Sequence, residues 1–572
     1  MADEKPELRD LNYRQLFPWT ELFRGFRIAV DQKKLLLAAA GLVAMAVGWW
    51  LLACIFYNSR TEPTWGGGHY GTDWAAFRAD RDKWNLLYSA AGDHPTLTSA
   101  DDLANSPEEY AAIKQRIADG DTSFDLNGRH IEVQPKPYGE MRVLPWFEHR
   151  GPNPYLLVTG QEANPEQGTG RYGPWQRGQF LNWFVTEQVP VLIEPLRKLL
   201  RPVIFLLHPR AGFWNDVYFS LVTLWTLAVW GFFGGAITRI AAVQIARRDK
   251  ISWGEAIRFT LSRYLSFFSA PLFPLVFLLF VVVLCIIYGL LHLIPVFGDI
   301  VVDGLGWPLV LGAGLLMTVI LIGLVGWPMM YSTISAEGSD SFDALSRSYS
   351  YVYQSPWHYI WYSLVAIAYG AIVLFFVGFA GSLVVYLAKW GVSQTPGIEA
   401  ANRDPSYLFV YAPTSYGWRD LLLQGAQVDG RRVVLPRQGI DEATYNDYLA
   451  HLTWYNRVGA GLVAVWLYLA FLLIVGFGYS YFWSASTIIY LLMRRKVDDT
   501  DLDEVYLEED EGDDLYSPAA PTAAAATGGG VGPLTMVEAP TLKSAPPAGA
   551  PAPSPPKVES VPGNGGDGNP PA

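Results

Sequence analysis

The sequence predicts an all-α transmembrane bundle of six helices built as three amphipathic-helix-plus-hairpin units, with a mixed α/β external cap and a disordered C-terminal tail. Three observations predict it. Six apolar runs are long enough to cross a bilayer, which takes about 20 residues. A short segment with an acid near its start and an Arg one turn later occurs three times, each time ahead of a pair of those runs. The chain is 51% hydrophobic and 17% charged, against about 25% charged residues in ordinary soluble domains.

The elements follow in order. Residues 1–34 read as a cytoplasmic segment ending in an interfacial helix. The spans are expected at 35–56, 217–240, 267–294, 309–327, 359–387 and 460–491. No small-residue cleavage site follows the first run, so it is expected to stay as a span rather than act as a signal peptide. Between the spans lie an external insert at 57–216, a cytoplasmic amphipathic loop at 241–266 and a short external loop at 295–308. A second amphipathic loop at 328–358 and a second external insert at 388–459 complete the membrane part. Residues 492–572 form the cytoplasmic tail.

Short loops set the orientation. Arg239, Arg247, Arg248, Lys250, Arg258 and Arg263 crowd one loop, whereas the connection from Pro295 to Trp307 has only Asp299 and Asp303. Arg24, Arg27, Lys33 and Lys34 precede the first span, and Arg494-Arg495-Lys496 follows the last. The positive-inside rule puts these basic segments and both termini in the cytoplasm of a cell with an inner membrane. Gly306-Trp307-Pro308 and Gly326-Trp327-Pro328 bracket the fourth span, with Trp at the interfaces and Pro at a helix start or just past its end. Pro271 and Pro274 should kink or delay the third.

The repeated segments are Trp19-Thr20-Glu21-Leu22-Phe23-Arg24, Trp253-Gly254-Glu255-Ala256-Ile257-Arg258 and Phe342-Asp343-Ala344-Leu345-Ser346-Arg347. Acid in the first turn suits the helix dipole, and Arg three or four residues on lies on the same face. Their apolar residues fall on one stripe, so they should lie flat at the inner interface. Glu255-Ala256-Ile257-Arg258 and the run from Glu337 to Tyr349 resemble bacterial multi-pass families with Glu-Gly-x-x-x-x-x-Ala-Leu-x-x-Ser before a hairpin. The membrane domain attached to some glycerophosphodiester phosphodiesterases is one. The resemblance covers roughly residues 217–390 and implies a fold, not an activity. This chain departs from it by its two large inserts and by lacking a phosphodiesterase domain.

In the first insert, Ser106-Pro107-Glu108-Glu109 reads as a capping box with Pro at N1. Asn127-Gly128 between Ser123–Leu126 and His130–Val133 reads as a hairpin. Residues 189–207 form an amphipathic or interfacial segment. The second insert should hold a strand at Tyr407–Tyr411, a hairpin turn at Asp429-Gly430 and a helix at Glu442–Leu452. The two inserts are expected to pack into one cap. From Val497 onward, 14 acids oppose Lys543 and Lys557, so the net charge of −12 belongs to the tail and the rest sums to zero. Acid followed by a Pro, Ala and Gly tract cannot bury a core. No basic patch argues for nucleic acid.

Chemistry is sparse. There is no Walker lysine loop, His-Glu-x-x-His, Cys-x-x-Cys or Gly-x-Ser-x-Gly; Gly528-Gly529-Gly530 belongs to the tail tract. Cys54 and Cys285 sit in apolar runs as small hydrophobes. His69 and Asp73 beside Gly66-Gly67-Gly68 have the spacing of ligands on a helix but lie in a loop context. Glu108 and Glu109 suit capping better than acid–base work. His208, His292 and His358 flank spans among aromatics, where packing is the simpler role. No span has an ionisable residue near its middle, as ion-coupled transporters usually need. Gly231, Gly234, Gly235, Gly312, Gly314, Gly378 and Gly381 suit close helix packing. No catalytic, cofactor-binding or metal residue, no cofactor and no small-molecule ligand is therefore expected. The expected partners are the lipid bilayer and proteins reached through the cap and the acidic tail. The function expected first is a non-enzymatic scaffold or complex subunit of the cell envelope, then a transporter or permease component, then a lipid-acting membrane enzyme.

Overall fold

The computed structural model describes residues 17–58, 63–66, 70–81, 99–121, 123–126, 129–133, 144–148, 150–159, 180–206, 213–248, 250–398, 404–435 and 439–506. Residues 507–572 lie outside the described part. Six helices are long and apolar enough to cross a membrane: Gln32–Ala53, Asp216–Ala246, Tyr264–His292, Trp307–Leu324, Pro356–Ser393 and Trp454–Val497. This is the architecture of a multi-pass membrane protein, and each helix overlaps a run expected from the sequence.

The ends differ more than the centres. The last helix has 44 residues, so it runs about 66 Å, twice a hydrocarbon core of about 30 Å. Hydropathy marks where lipid begins, but a helix continues until a cap or breaker stops it. Large apolar side chains are exposed on it from Trp454 to Leu473, whereas Val475 to Arg494 is almost wholly buried.

Among the elements packed around that second half, beside the first, second and fifth spans, is a short helix that the sequence pattern does not separate. Trp327–Glu337 is buried at every position from Trp327 to Ala336. Trp327-Pro328 therefore starts a new helix, with Pro at its first turn, rather than ending the fourth span. The expected amphipathic loop at 328–358 becomes this buried helix followed by Ser341–Gln354, which buries only Ala344, Ser348, Tyr351 and Val352. Trp483 stacks on Tyr331 at 4.9 Å with an interplanar angle of 6°, and Trp327 meets it edge-on at 5.3 Å. Gly234 makes room: a Cβ there would lie 2.9 Å from the Trp483 ring. Gly235, Gly378 and Gly381 are likewise in close contact and Gly231 in ordinary contact at 3.5 Å, but nothing lies within 4 Å of Gly312 or Gly314. The third and fourth spans share a small core of Leu278, Val281 and Ile320 and are otherwise largely exposed.

The repeated acid–Arg segments adopt different local solutions. Glu21 pairs with Arg24 at 2.6 Å, and Asp343 with Arg347 at 3.1 Å. Glu255 instead completes a capping box with Ser252, where its carboxylate accepts the Ser252 N–H at 2.8 Å.

In the first insert, Ser106 Oγ accepts the Glu109 N–H at 3.2 Å, and Glu109 returns to the Asn105 N–H at 3.0 Å. Strands Ser123–Leu126 and Arg129–Glu132 pair antiparallel, with Leu126 opposite Arg129. The expected turn residues Asn127 and Gly128 lie outside the described residues. In the second insert, Gln427–Val428 pairs with Arg431–Arg432. Asp429 and Gly430 both have positive φ, 50° and 77°, as a two-residue type I′ turn requires. The expected helix is Glu442–His451, capped by Asp441. The expected strand at Tyr407–Tyr411 is wrong: Pro405–Phe409 is a 3-10 helix begun by Asp404, which accepts the Ser406 N–H at 3.4 Å. An Asx cap followed by Pro outweighs the β-propensity of Tyr, Phe and Val here.

The expected start of the tail at 492 also moves. Residues 492–497 end the last helix, and residues 498–506 fold back against the bundle. Tyr506 donates its N–H to the Ala336 carbonyl at 2.7 Å, Val505 is buried, and Gly338, at φ 65°, leaves space that a Cβ would close to 2.7 Å from the Tyr506 ring. Acidic composition hid this: Leu502, Val505 and Tyr506 are a few apolar anchors among the acids, and the carbonyls of Asp501, Glu504 and Tyr506 accept from Arg494 and Arg239.

Candidate functional site

Part of the first insert packs among the spans. Phe180–Trp183, a π-helical turn Phe184–Gln188, Val189–Leu192 and Glu194–Leu206 form a broken, bent helical segment. Pro190 and Pro195 fall in the first turns of the last two pieces, so the chain breaks between them at Ile193. Gln188 Nε2 donates to the Ala371 carbonyl at 3.1 Å. A Cβ on Gly370 would lie 2.9 Å from Leu192. Both partners are near the middle of the fifth span.

The bend places Glu194 and Lys198, one helical turn apart, in a cluster with Glu148 and Arg150. The Arg150 guanidinium meets Glu194 in a fork, Nε to Oε2 at 3.0 Å and Nη2 to Oε1 at 3.1 Å. Arg150 also donates to Glu148, to the Pro145 carbonyl and to Ser415 Oγ. Lys198 Nζ lies 2.8 Å from Glu148 and 2.7 Å from Glu194. Tyr479, near the middle of the last span, donates its hydroxyl to Glu194 at 3.0 Å. Two cations and two carboxylates cancel, and each is in contact with at least two opposite or polar partners.

Burial opposes the charge on Glu194, but Arg150 and Lys198 outweigh it and hold its carboxyl well below the usual range. Burial likewise opposes the Arg150 charge, and the two carboxylates outweigh it and raise its pKa above the ordinary value. Burial pushes the neighbouring Tyr416 phenol up, so it stays protonated.

The cluster also ties the two inserts together. Ser415 donates its N–H to the Trp146 carbonyl at 3.1 Å, and Asn153 Nδ2 donates to the Tyr416 carbonyl at 2.8 Å. Trp418 Nε1 donates to Ser382 Oγ of the fifth span at 3.0 Å. Lys389 of that span donates to the Leu422 and Gln424 carbonyls at 2.7 and 2.6 Å, closing the end of the Trp418–Leu423 helix.

A second charged network lies at the other end of the bundle. Glu337 accepts from Arg347 and Tyr490, with Arg494 at 3.6 Å. Arg494 donates to the Asp501 and Glu504 carbonyls, and Arg239 to those of Ser335 and Tyr506. These arginines grip the backbone of residues 498–506.

The residues singled out from the sequence fare unevenly. Asp73 accepts the Ala76 N–H at 3.0 Å as a helix cap, while His69 and His208 lie outside the described residues. The His358 ring packs 6.1 Å from Tyr362. His292 is not merely packed: its Nδ1 lies 2.6 Å from Asp303. The mid-bundle cluster was missed because every charged member comes from an insert. The signal present was the Glu194/Lys198 spacing on a strongly amphipathic segment.

No family model matches the chain, and no curated protein or solved structure matches it.

Proposed function

We propose that this chain is a non-enzymatic scaffold or complex subunit of the cell envelope, seated in the inner membrane with both termini in the cytoplasm. The observation that carries this reading is the neutral cluster of Glu148, Arg150, Glu194 and Lys198. It clamps the insert to the middle of the last span, whose far end holds residues 498–506. Packed cores and saturated ion networks transmit position rather than yield. One long helix thus joins an external cap made by both inserts to the base of the acidic tail. The hydrogen bonds from Ser415 and Asn153 support that single cap. The resemblance to the membrane domains attached to some glycerophosphodiester phosphodiesterases adds a fold-level parallel, with the acid–Arg segments as three related units.

The test is partner capture. Truncation after Leu507 keeps the docked strap and removes only the acidic and Pro/Ala-rich part. Full-length protein should retain salt-sensitive cytoplasmic partners that the truncation loses, while both retain partners of the cap. Identical partners at low salt would remove the tail from the scaffold. A reporter active only in the cytoplasm, fused at residue 250, at 300 and after 496, tests orientation. Activity at 300, or none at 250, would reverse it.

A transporter or permease component is the second reading, favoured by ionisable groups beside the middle of the last span. It requires that Glu194→Gln protein, still folded, lose ion or proton flux in proteoliposomes that the wild type supports. A lipid-acting enzyme stands third.

A further inference from the structure

The geometry points to a divalent metal site of zinc-like chemistry at the tip of the third and fourth spans, formed by His292, Asp299 and Asp303. The inference is independent of the scaffold reading and concerns a part of the molecule far from the Arg150 cluster in sequence and packing.

The three side chains come from two elements. His292 is the last residue of the third span. Asp299 and Asp303 lie on the π-helical turn Gly298–Leu305 that leads into the fourth. Its wider turn brings residues four apart onto one side. One ligand-type atom from each of the three residues falls within 4.8 Å of the others. His292 Nδ1 is 2.6 Å from Asp303 Oδ2. Tyr288 donates its hydroxyl to the Val302 carbonyl and so fixes the turn beside Asp303.

The charge balance asks for a cation. Residues 293–306 contain no Lys or Arg. Among the described residues, the His292–Asp303 contact is the ion pair on this turn, and none includes Asp299. Two carboxylates this close repel, and an ion between them removes the cost. This differs from the other acidic pairs in the molecule, such as Glu148 and Glu194, which share Arg150 and Lys198.

The donor set selects the metal. One imidazole nitrogen and two carboxylate oxygens suit zinc and its transition-metal neighbours. Calcium takes six to eight oxygens, and magnesium demands near-octahedral oxygen geometry. Donors around tetrahedral zinc stand about 3.3 Å apart, given bonds of about 2.0–2.1 Å. His292 and Asp303 need open by only a fraction of an ångström. Three protein ligands leave a fourth position for water or for a ligand from outside. The metal would join the end of one span to the approach of the next.

The experiment is equilibrium dialysis of purified full-length protein in detergent against zinc chloride, with metal content read by mass spectrometry. Wild type should retain one more zinc per chain than the His292→Ala/Asp303→Asn variant, and Asp299→Asn should weaken binding by about ten-fold or more. Zinc should also slow amide hydrogen exchange across residues 293–306 of wild type, and not of the double variant. Melting without metal checks that the variants fold; if the double variant does not, the exchange of wild type with and without zinc decides. Equal zinc content in wild type and variants, or no protection of residues 293–306, overturns the site. So does calcium or magnesium binding as tight as zinc and indifferent to His292.

Discussion

Replacing Arg150 by Met should be among the most damaging single changes in this molecule. Its guanidinium is buried and supplies the fork to Glu194 together with bonds to Glu148, the Pro145 carbonyl and Ser415. Removing it leaves two buried carboxylates with one cation of the cluster, Lys198, between them, and Tyr479 as a neutral donor to Glu194. Breaking a buried ion pair by deleting one partner costs about 3–5 kcal/mol, because the remaining charge is uncompensated. Glu194→Gln produces the opposite imbalance and should cost a comparable amount. The double variant restores neutrality, so its cost should fall below the sum of the singles by about 2–3 kcal/mol. Arg150→Lys keeps the charge but loses the fork and should fall between wild type and Arg150→Met. The assay is unfolding in mixed detergent micelles, read by tryptophan fluorescence, with proteolysis of residues 180–206 as a local readout. Strictly additive singles, or single costs below about 1 kcal/mol, would match an exposed ion pair and refute the clamp.

Other outcomes follow from the same geometry. Gly234→Val should destabilise by about 1–3 kcal/mol through overpacking on Trp483, whereas Gly312→Val, with nothing within 4 Å, should leave the same unfolding curve nearly unchanged. Glu194 has its folded pKa depressed, so its stabilisation is present above the ordinary carboxylate value of 4.5 and is lost only as pH falls through the lower folded value. Protection of residues 180–206 should accordingly be flat from about pH 5 to 8 and fail in stronger acid; a midpoint near pH 6 would contradict this. Tyr506→Ala or Gly338→Ala should expose residues 498–506 to protease with little change in global melting, since the strap is held by local contacts. If neither raises cleavage, the anchoring by Arg239 and Arg494 suffices alone.

The sequence by itself determined the spans, because a bilayer demands long apolar runs and nothing else in this chain supplies them. It also determined the local punctuation. Ser106 before Pro107, Ser252 with Glu255, and Asp429-Gly430 carry their geometry in the identity of two or three neighbouring residues. Tertiary structure decided the rest. The Trp327–Glu337 helix reads as a loop because its mixed polar and apolar residues have no period, and it is stable only when surrounded on all sides. Residues 498–506 read as solvent-bound because acids outnumber the apolar anchors Leu502, Val505 and Tyr506, and the rest of the recognition uses carbonyl and amide groups, which every sequence has. The Arg150 cluster is the clearest case. Its members lie at 148, 150, 194, 198 and 479, and no spacing rule links an insert to the middle of a distant span. A charge is tolerated at that depth only if its partners arrive from elsewhere in the chain, so the constellation exists only in three dimensions.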